Sequence, residues 1–339
     1  MIPPRFSFAA IFFFATASLF AAAPRAKPTS PGAGTFADGT YKGAIVTDAA
    51  TGNIIYEDQA DIISPPASMA KLMTFAVLHD KLASGAITLA TPIRITVADG
   101  KIGGSQVYLD PRETFPVEEL LYAMMIHSAN DASHALARAS AGSVATFVGL
   151  MNAKAAEIGM TNTTFRTPHG LPPSNRRPEE GDLTSPRDFA LLARYLLRKT
   201  DVTKYTSVRS RRFGEGVRKS PMELFNRDAL VGNVVGVDGL KTGFTNAAGS
   251  CLTATAQRDG RRVIVVVMGS PDAKKRNLKV IELLDRGFAA LPPGVPTIST
   301  EDASPMTAAP LPPASGKKSG VTIEETPPSI RVVVPPRKK

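Results

Sequence analysis

The chain has 339 residues, of which 43% are hydrophobic, and its formal net charge at pH 7 is +10. This composition can supply the core of one large domain or two modest ones, which excludes a fibrous protein. A single cysteine, Cys251, excludes an internal disulfide, so we expect an ordinary packed core in which Cys251 is a small buried hydrophobe.

The N-terminus has the three parts of a secretory signal peptide. Arg5 precedes an apolar run over residues 6–20, and three alanines that end at Ala23 precede Pro24. The run of about 15 apolar residues is short for a bilayer span, which needs ~20. We therefore expect residues 1–23 to be a signal peptide and the protein to be secreted or periplasmic, in the cell envelope. An uncleaved membrane anchor is the alternative.

A linker and a hairpin precede the first predicted helix. Residues 24–39 are rich in Pro, Gly, Ser and Thr, which is typical of a linker. Two β-branched runs, 43–48 and 53–57, are joined through residues 49–52 and predict a β-hairpin. Residues 67–82 have apolar side chains at helical spacing and predict a buried helix.

Helices fill the middle of the chain. Apolar periodicity and capping residues predict helices over residues 116–125, 131–139, 144–158 and 186–197. Ser143 and Ser185 are the expected N-caps of the last two helices, and Gly142 and Gly159 are the expected stops of the second and third. Several helices in succession indicate an inserted all-helical subdomain.

Strand patterns return after residue 230. Three further strands are predicted over residues 234–241, 251–256 and 262–268, and a closing helix over residues 277–288. With the first hairpin they make five strands. The predicted fold is α/β (α+β): a five-stranded, mostly antiparallel sheet flanked by helices, with the helical subdomain inserted between the two groups of strands. Residues 291–339 are predicted to be a disordered, Pro-rich basic tail.

The positive charge of an exported protein favours anionic cell-surface polymers or lipid headgroups as partners. The chain has no Trp, no basic stripe with interleaved aromatic residues and no zinc-finger spacing, so we expect no nucleic-acid partner. The tail has no apolar face and could give at most weak peripheral contact with the membrane or the wall. The four His show no metal-ligand spacing, and we expect neither a metal nor a cofactor.

Three short motifs carry the chemistry. Ser68 and Lys71 lie three residues apart on a predicted helix, where the Lys amine can reach the Ser hydroxyl and take its proton. This spacing alone is weak evidence, because residues 315–318 of the tail repeat it without a helix. Two more triplets, each present once, give it weight: residues 128–130 read Ser-Ala-Asn at a helix break, and residues 241–243 read Lys-Thr-Gly in a predicted strand.

This ordered set of motifs resembles that of the active-site serine penicillin-binding proteins and serine β-lactamases. The residues around the motifs, at 66–74, 128–132, 151–160 and 238–245, are similar to those of the low-molecular-weight D-alanyl-D-alanine carboxypeptidases. The resemblance covers about residues 40–288. It implies a β-lactamase/transpeptidase-like catalytic domain over residues 40–290.

The resemblance also implies roles for individual residues. Ser68 would attack the carbonyl between the two terminal D-alanines of a peptidoglycan stem pentapeptide, with Lys71 as the general base. The backbone N–H groups of Ser68 and Phe244 would form the oxyanion hole. Ser128 would relay a proton to the leaving amine, and Asn130 would hold the substrate amide. Penicillin and other β-lactams would be inhibitors.

The same resemblance places the terminal carboxylate of the substrate against the Lys-Thr-Gly strand. Lys241 and Thr242, with Gly243 beside them, would supply positive charge and a hydroxyl there. Arg276 would be a further carboxylate ligand, with the two adjacent lysines as alternative candidates.

Two other functions stay open at this point. Residues 241–249 resemble those of the DD-endopeptidases, which cut D-alanyl cross-links, whereas the Ser-Ala-Asn-Asp of residues 128–131 favours a carboxypeptidase. A non-catalytic protein that binds the cell wall or β-lactams could keep the same fold, although the complete motif set disfavours it. Residues 223–226 only faintly resemble the deacylation motif of class A β-lactamases, so an efficient β-lactamase is not expected.

Overall fold

The computed structural model describes residues 39–173 and 177–292. The predicted signal peptide, nearly all of the linker and most of the tail lie outside these residues.

A five-stranded antiparallel sheet is the centre of the fold, with strand order β2-β1-β9-β8-β7. The described strands are β1 Gly43–Asp48, β2 Ile54–Asp58, β3 Pro92–Arg94, β4 Thr114–Pro116, β5 Ser210–Phe213, β6 Met222–Phe225, β7 Val237–Thr245, β8 Gly249–Arg258 and β9 Arg261–Ser270. The five strands of the sheet are those that the sequence predicted. Strand β7, which carries the Lys-Thr-Gly triplet, extends four residues beyond the predicted end at residue 241 and lies at one edge of the sheet.

The helices cover both faces of the sheet. They are α1 Lys71–Ala83, α2 Val97–Gly100, α3 Val117–Ile126, α4 Asn130–Ala141, α5 Val144–Ile158, α6 Pro186–Lys199, α7 Val202–Thr206 and α8 Ala273–Ala290. Alternate residues of β9 point to opposite faces. Val265 packs in a cluster with Leu284 of α8, whereas Val266 belongs to the larger cluster that includes Leu72 of α1. The resulting two-sided burial explains the unbroken apolar run of β9.

Helix α1 lies inside the helical half of the molecule. All its residues from Lys71 to Leu78 are buried, as expected for a helix surrounded by other helices rather than amphipathic at a surface. It contacts α3, α4, α5 and α6. A lysine at the start of such a helix is therefore placed in the interior of the protein.

The helical insert also contains two short hairpins that the sequence pattern did not indicate. Strands β3 and β4 pair with each other, as do β5 and β6. Each strand has only three or four residues, too few for a period-two pattern to stand out. The predicted caps are confirmed: Ser143 accepts a hydrogen bond from the Thr146 N–H and Ser185 from the Asp188 N–H. No helix within the described ranges is long and apolar enough to cross a membrane.

Candidate active site

Ser68 lies in a 3-10 turn, Ala67–Ala70, and not in the first turn of an α-helix as the sequence suggested. Residues three apart are nearly eclipsed in a 3-10 turn, so Ser68 and Lys71 still share one side. Two glycines allow the chain to pack against this turn. A Cβ at Gly170 would clash with the carbonyl oxygen of Ala67, and a Cβ at Gly243 would lie 2.6 Å from the carbonyl oxygen of Pro66.

The Lys71 amine is fully buried and has three partners. Its Nζ atom lies 3.0 Å from Ser68 Oγ, 2.6 Å from Asn130 Oδ1 and 2.8 Å from the carbonyl oxygen of His169. Burial, and after it the charge of Lys241, lower the pKa of Lys71 well below its ordinary value. A neutral amine has two N–H groups and one lone pair. The two N–H groups can donate to Asn130 Oδ1 and to the carbonyl oxygen of His169. The lone pair is then free to accept the proton of the Ser68 hydroxyl.

Asn130 connects this lysine to the loop that precedes the helical core. It is the first residue of α4, and its backbone N–H donates to the carbonyl of Ser105 at 2.7 Å. Its side-chain Nδ2 donates to the carbonyl of Gly103 at 2.8 Å. Ser128, two residues earlier, is 5% exposed and has a φ of 65°. The predicted break between α3 and α4 thus places the Asn130 side chain against Lys71 of α1.

Lys241 lies on edge strand β7 and is 2% exposed. Its Nζ donates to the Thr242 carbonyl at 3.2 Å. Burial lowers the pKa of Lys241 to about 7, although the carboxylate of Asp228 opposes this effect. The positive charges of Arg227 and Arg276 lower it further. An anion that entered here would meet several cationic groups and could restore the charge of the lysine.

Arg276 is held by protein groups in this structure. It lies in the first turn of α8 and is 5% exposed. Its Nε and Nη2 donate to Asn277 Oδ1, and its Nη1 donates to the carbonyl of Cys251 at 3.3 Å. The positive charge of Arg276 is close enough to lower the pKa of Lys241. The predicted carboxylate ligand therefore lies on the Lys241 side of the site. Cys251 is buried, as predicted.

Phe244 follows the Lys-Thr-Gly triplet on β7, and its side chain is 61% exposed. It pairs with Ser250 of β8 on the inner side of the strand. Strand β7 is an edge strand, and its Gly243 makes a close contact with the turn that carries Ser68. The backbone at Gly243 is thus beside the turn that carries Ser68.

The sequence did not predict the loop that holds Lys71 from the other side. The carbonyl of Pro168 accepts hydrogen bonds from the Thr74 and Ser133 hydroxyls, both at 2.6 Å. The buried Asp182 carboxylate accepts from the Thr167 hydroxyl at 2.6 Å. These contacts fix the neighbouring carbonyl of His169 toward Lys71. A backbone carbonyl carries no residue identity, so no motif could have marked it.

His127, which precedes the Ser-Ala-Asn triplet, is half-buried. Its Nε2 lies 3.4 Å from Nη2 of Arg227. Burial, and then the charges of Arg227 and Lys241, lower the pKa of His127. The side chain is therefore neutral near pH 7 and packs at the border of the site.

Comparisons with known proteins agree with this geometry. Residues 33–272 match the family described as D-alanyl-D-alanine carboxypeptidase. The chain is 38% identical over 248 residues to the D-alanyl-D-alanine carboxypeptidase DacF of Bacillus subtilis, which covers 73% of this chain and 62% of the relative. It is 34% identical over 252 residues to DacA of Escherichia coli, covering 72% and 60% of the two chains.

Solved structures with the same fold are penicillin-binding proteins. Penicillin-binding protein D2 of Listeria monocytogenes, in an ampicillin-bound form, superposes with a TM-score of 0.65 and 29% identity over 73% of this chain and 97% of that one. Penicillin binding protein 5 of Haemophilus influenzae gives a TM-score of 0.67 and 32% identity over 74% and 71%. The match to the two curated relatives spans about three-fifths of their length.

Proposed function

Because the chain belongs to the D-alanyl-D-alanine carboxypeptidase family, we propose that it is a serine-type D-alanyl-D-alanine carboxypeptidase. It removes the terminal D-alanine from peptidoglycan stem pentapeptides through an acyl-enzyme on Ser68. The observation that carries the proposal is the Lys71 amine, buried 3.0 Å from Ser68 Oγ with its other two partners supplied by Asn130 and His169. Such an arrangement prepares a base for the serine without a histidine.

In the acylation step, Ser68 Oγ attacks the carbonyl carbon of the penultimate D-alanine and gives its proton to Lys71. The backbone N–H groups of Ser68 and Phe244 stabilise the negative charge that develops on the carbonyl oxygen. The proton passes through the Ser128 hydroxyl to the amine of the terminal D-alanine as the C–N bond breaks. D-Alanine leaves, and an ester to Ser68 remains.

The deacylation step uses the same base. Lys71 is neutral again once its proton has left with D-alanine, so its lone pair can take a proton from water. The water oxygen attacks the ester carbonyl, and the proton returns to Ser68 Oγ as the acyl group departs. The enzyme is thereby restored for another turnover.

Positive charge selects substrates that end in a carboxylate. Lys241, Thr242 and Arg276 bind that carboxylate, and Gly243 lets the substrate backbone and β7 come close to the nucleophile turn. Because the pKa of Lys241 is about 7, the approach of a carboxylate favours its protonated form. An extended substrate can add to the free edge of β7 as a further strand.

β-Lactams inhibit the enzyme by acylating Ser68. Support comes from the ampicillin-bound penicillin-binding protein, which has the same fold. A β-lactam offers a strained amide and a carboxylate to the same groups that hold the peptide.

We further propose that residues 1–23 direct export to the cell envelope and that residues 40–290 are the catalytic domain. The basic residues of the tail, 291–339, give at most weak contact with anionic wall polymers or lipid headgroups. Sequencing the N-terminus of the exported protein tests the cleavage near Ala23.

D-Alanine release from a soluble pentapeptide that ends in D-Ala-D-Ala tests the function. The wild-type protein should release D-alanine, and Ser68→Ala should not. Cross-linked muropeptide dimers, supplied in parallel, distinguish the alternative. Cleavage of dimers without D-alanine release would replace the carboxypeptidase with a DD-endopeptidase, and absence of both activities would favour a non-catalytic binding protein.

A further inference from the structure

Tyr108 has a backbone conformation that is rare for an aromatic residue. Its φ is 55°, in the left-handed region, and its side chain is 71% exposed. A bulky residue with positive φ is strained, and exposure of a large ring gains no burial in return. Burial of its own ring therefore does not explain the conformation of Tyr108.

The backbone on both sides of Tyr108 is held in place by the buried carboxylate of Asp131 and the partly buried guanidinium of Arg218. The N–H groups of Val107 and Leu109 both donate to Asp131 Oδ2, each at 3.1 Å. The carbonyls of Val107 and Tyr108 accept from Arg218, at 2.8 Å and 3.1 Å. A strained residue persists only where its surroundings fix it in this way, and such residues are concentrated at binding sites.

The loop that carries Tyr108 is continuous with the catalytic cleft. The carbonyls of Gly103 and Ser105 bind Asn130, the residue whose Oδ1 lies 2.6 Å from Lys71 Nζ. Tyr108 is three residues beyond Ser105, which is at most about 11 Å of chain. Tyr108 thus belongs to the same loop as the two carbonyls that hold Asn130.

A surface groove of about 330 Å³ adjoins the ring. Val97, which is 57% exposed, and Pro111 give it apolar surface. Lys101 and Gln106 give it hydrogen-bond donors, and Asp110 gives it a carboxylate that can accept. A lining that is about equally polar and apolar suits a ligand that presents both kinds of surface. A sugar ring matches it, because its C–H face can pack on the electron-rich face of an aromatic ring while its hydroxyls meet the donors.

We propose that Tyr108 and this groove bind a sugar ring of the glycan strand to which the stem peptide is attached. The inference rests on the proposed function, which makes peptidoglycan the substrate. Four peptide residues separate the scissile bond from the sugar in a pentapeptide, about 13 to 14 Å when extended. That length is comparable with the path from the cleft along residues 105–108. Tyr108 is then a specificity residue that favours glycan-bearing substrates over free peptides.

The test compares two substrates, a disaccharide-pentapeptide and the same pentapeptide without sugar. Tyr108→Asn removes the ring and keeps a residue that tolerates positive φ, and Tyr108→Phe keeps the ring. In Tyr108→Asn, the ratio of kcat/KM for the glycan-bearing substrate to that for the free peptide should fall about three- to ten-fold, mainly through KM. In Tyr108→Phe the ratio should stay near that of the wild type.

A matched control is Val235→Ala. This side chain is 79% exposed, and its carbonyl accepts from Arg258, which bonds to Asp285 of α8. The substrate ratio of Val235→Ala should equal that of the wild type. An unchanged ratio in Tyr108→Asn, or an equal fall of kcat/KM for both substrates, would overturn the proposal.

A binding measurement separates this inference from the proposed function. If the wild-type protein releases D-alanine from neither substrate, the proposed function fails, and saturation-transfer NMR with a peptide-free disaccharide decides the inference. Binding by the wild type that is lost in Tyr108→Asn supports the sugar site. No binding by the wild type overturns it.

Discussion

Replacing Gly243 with alanine is expected to disable acylation while the fold is retained. The new Cβ would lie 2.6 Å from the Pro66 carbonyl oxygen and 3.2 Å from both Ala67 Cβ and the Met69 nitrogen. An ordinary C···O contact is about 3.3 Å or longer, so β7 and the nucleophile turn must separate by about 0.7 Å.

This displacement acts on the proposed oxyanion hole, because one N–H belongs to Ser68 and the other to Phe244. Such donors are effective at about 2.7–3.1 Å from the oxyanion, and loss of one costs roughly 10²- to 10³-fold in kcat. We expect a loss of this size in the acylation rate of Gly243→Ala. Overpacking should lower the free energy of unfolding by only about 1–3 kcal/mol.

Fluorescent penicillin measures the acylation rate, and urea unfolding measures stability. Gly149→Ala is the matched control, since Gly149 lies inside α5 with no atom within 4 Å of the new Cβ. It should acylate normally and gain about 0.5–1 kcal/mol in stability. Acylation of Gly243→Ala at the wild-type rate would refute the close contact between β7 and the turn as a requirement for catalysis.

Three further predictions concern charge. Burial lowers the pKa of Lys241 from 10.5 to about 7, so the folded state disfavours the charged lysine. Lys241→Met should therefore raise the free energy of unfolding most below pH 7, and this gain should decline between pH 7 and 10.5 in urea titrations. A pH-independent gain would contradict this. Asn130 Oδ1 lies 2.6 Å from Lys71 Nζ, so Asn130→Asp would place a carboxylate beside the amine and favour its charged form. The acid limb of the pH profile for penicillin acylation should therefore move to higher pH. A profile shifted to lower pH would count against Lys71 as the base. The buried carboxylate of Asp99 pairs with His134 and Arg138, and its hydrogen bonds hold its pKa below the ordinary range despite desolvation. Asp99→Asn should lower the free energy of unfolding by about 2 kcal/mol or more at pH 7, and this loss should shrink as pH falls through the pKa of the folded state. Equal thermal stability of the two proteins at pH 7 would show that these ion pairs contribute nothing.

The sequence predicted the sheet because its strands have strong local signals. The apolar run of β9 and the hairpin of β1 and β2 are visible without knowledge of the fold. The order of the strands was not predicted, since pairing depends on contacts between distant segments such as β1 and β9. The hairpins β3–β4 and β5–β6 were missed because each strand has only three or four residues.

The three motifs identified Ser68, Lys71, Asn130 and Lys241 as candidates because their side chains define the chemistry. The structure brings Ser68 and Asn130 each within hydrogen-bond distance of Lys71 Nζ. The carbonyl of His169 was invisible in the sequence. The lowered pKa of Lys71 could not be predicted from the sequence either, because it arises from burial by segments that are distant in the chain.

The most direct test of the account is the site and stoichiometry of penicillin labelling, measured by intact-protein and peptide mass spectrometry. We predict one covalent penicilloyl group per chain, on the peptide that contains Ser68, and none in Ser68→Ala. A wild-type protein that stays unlabelled, or a label that persists in Ser68→Ala, would contradict Ser68 as the nucleophile.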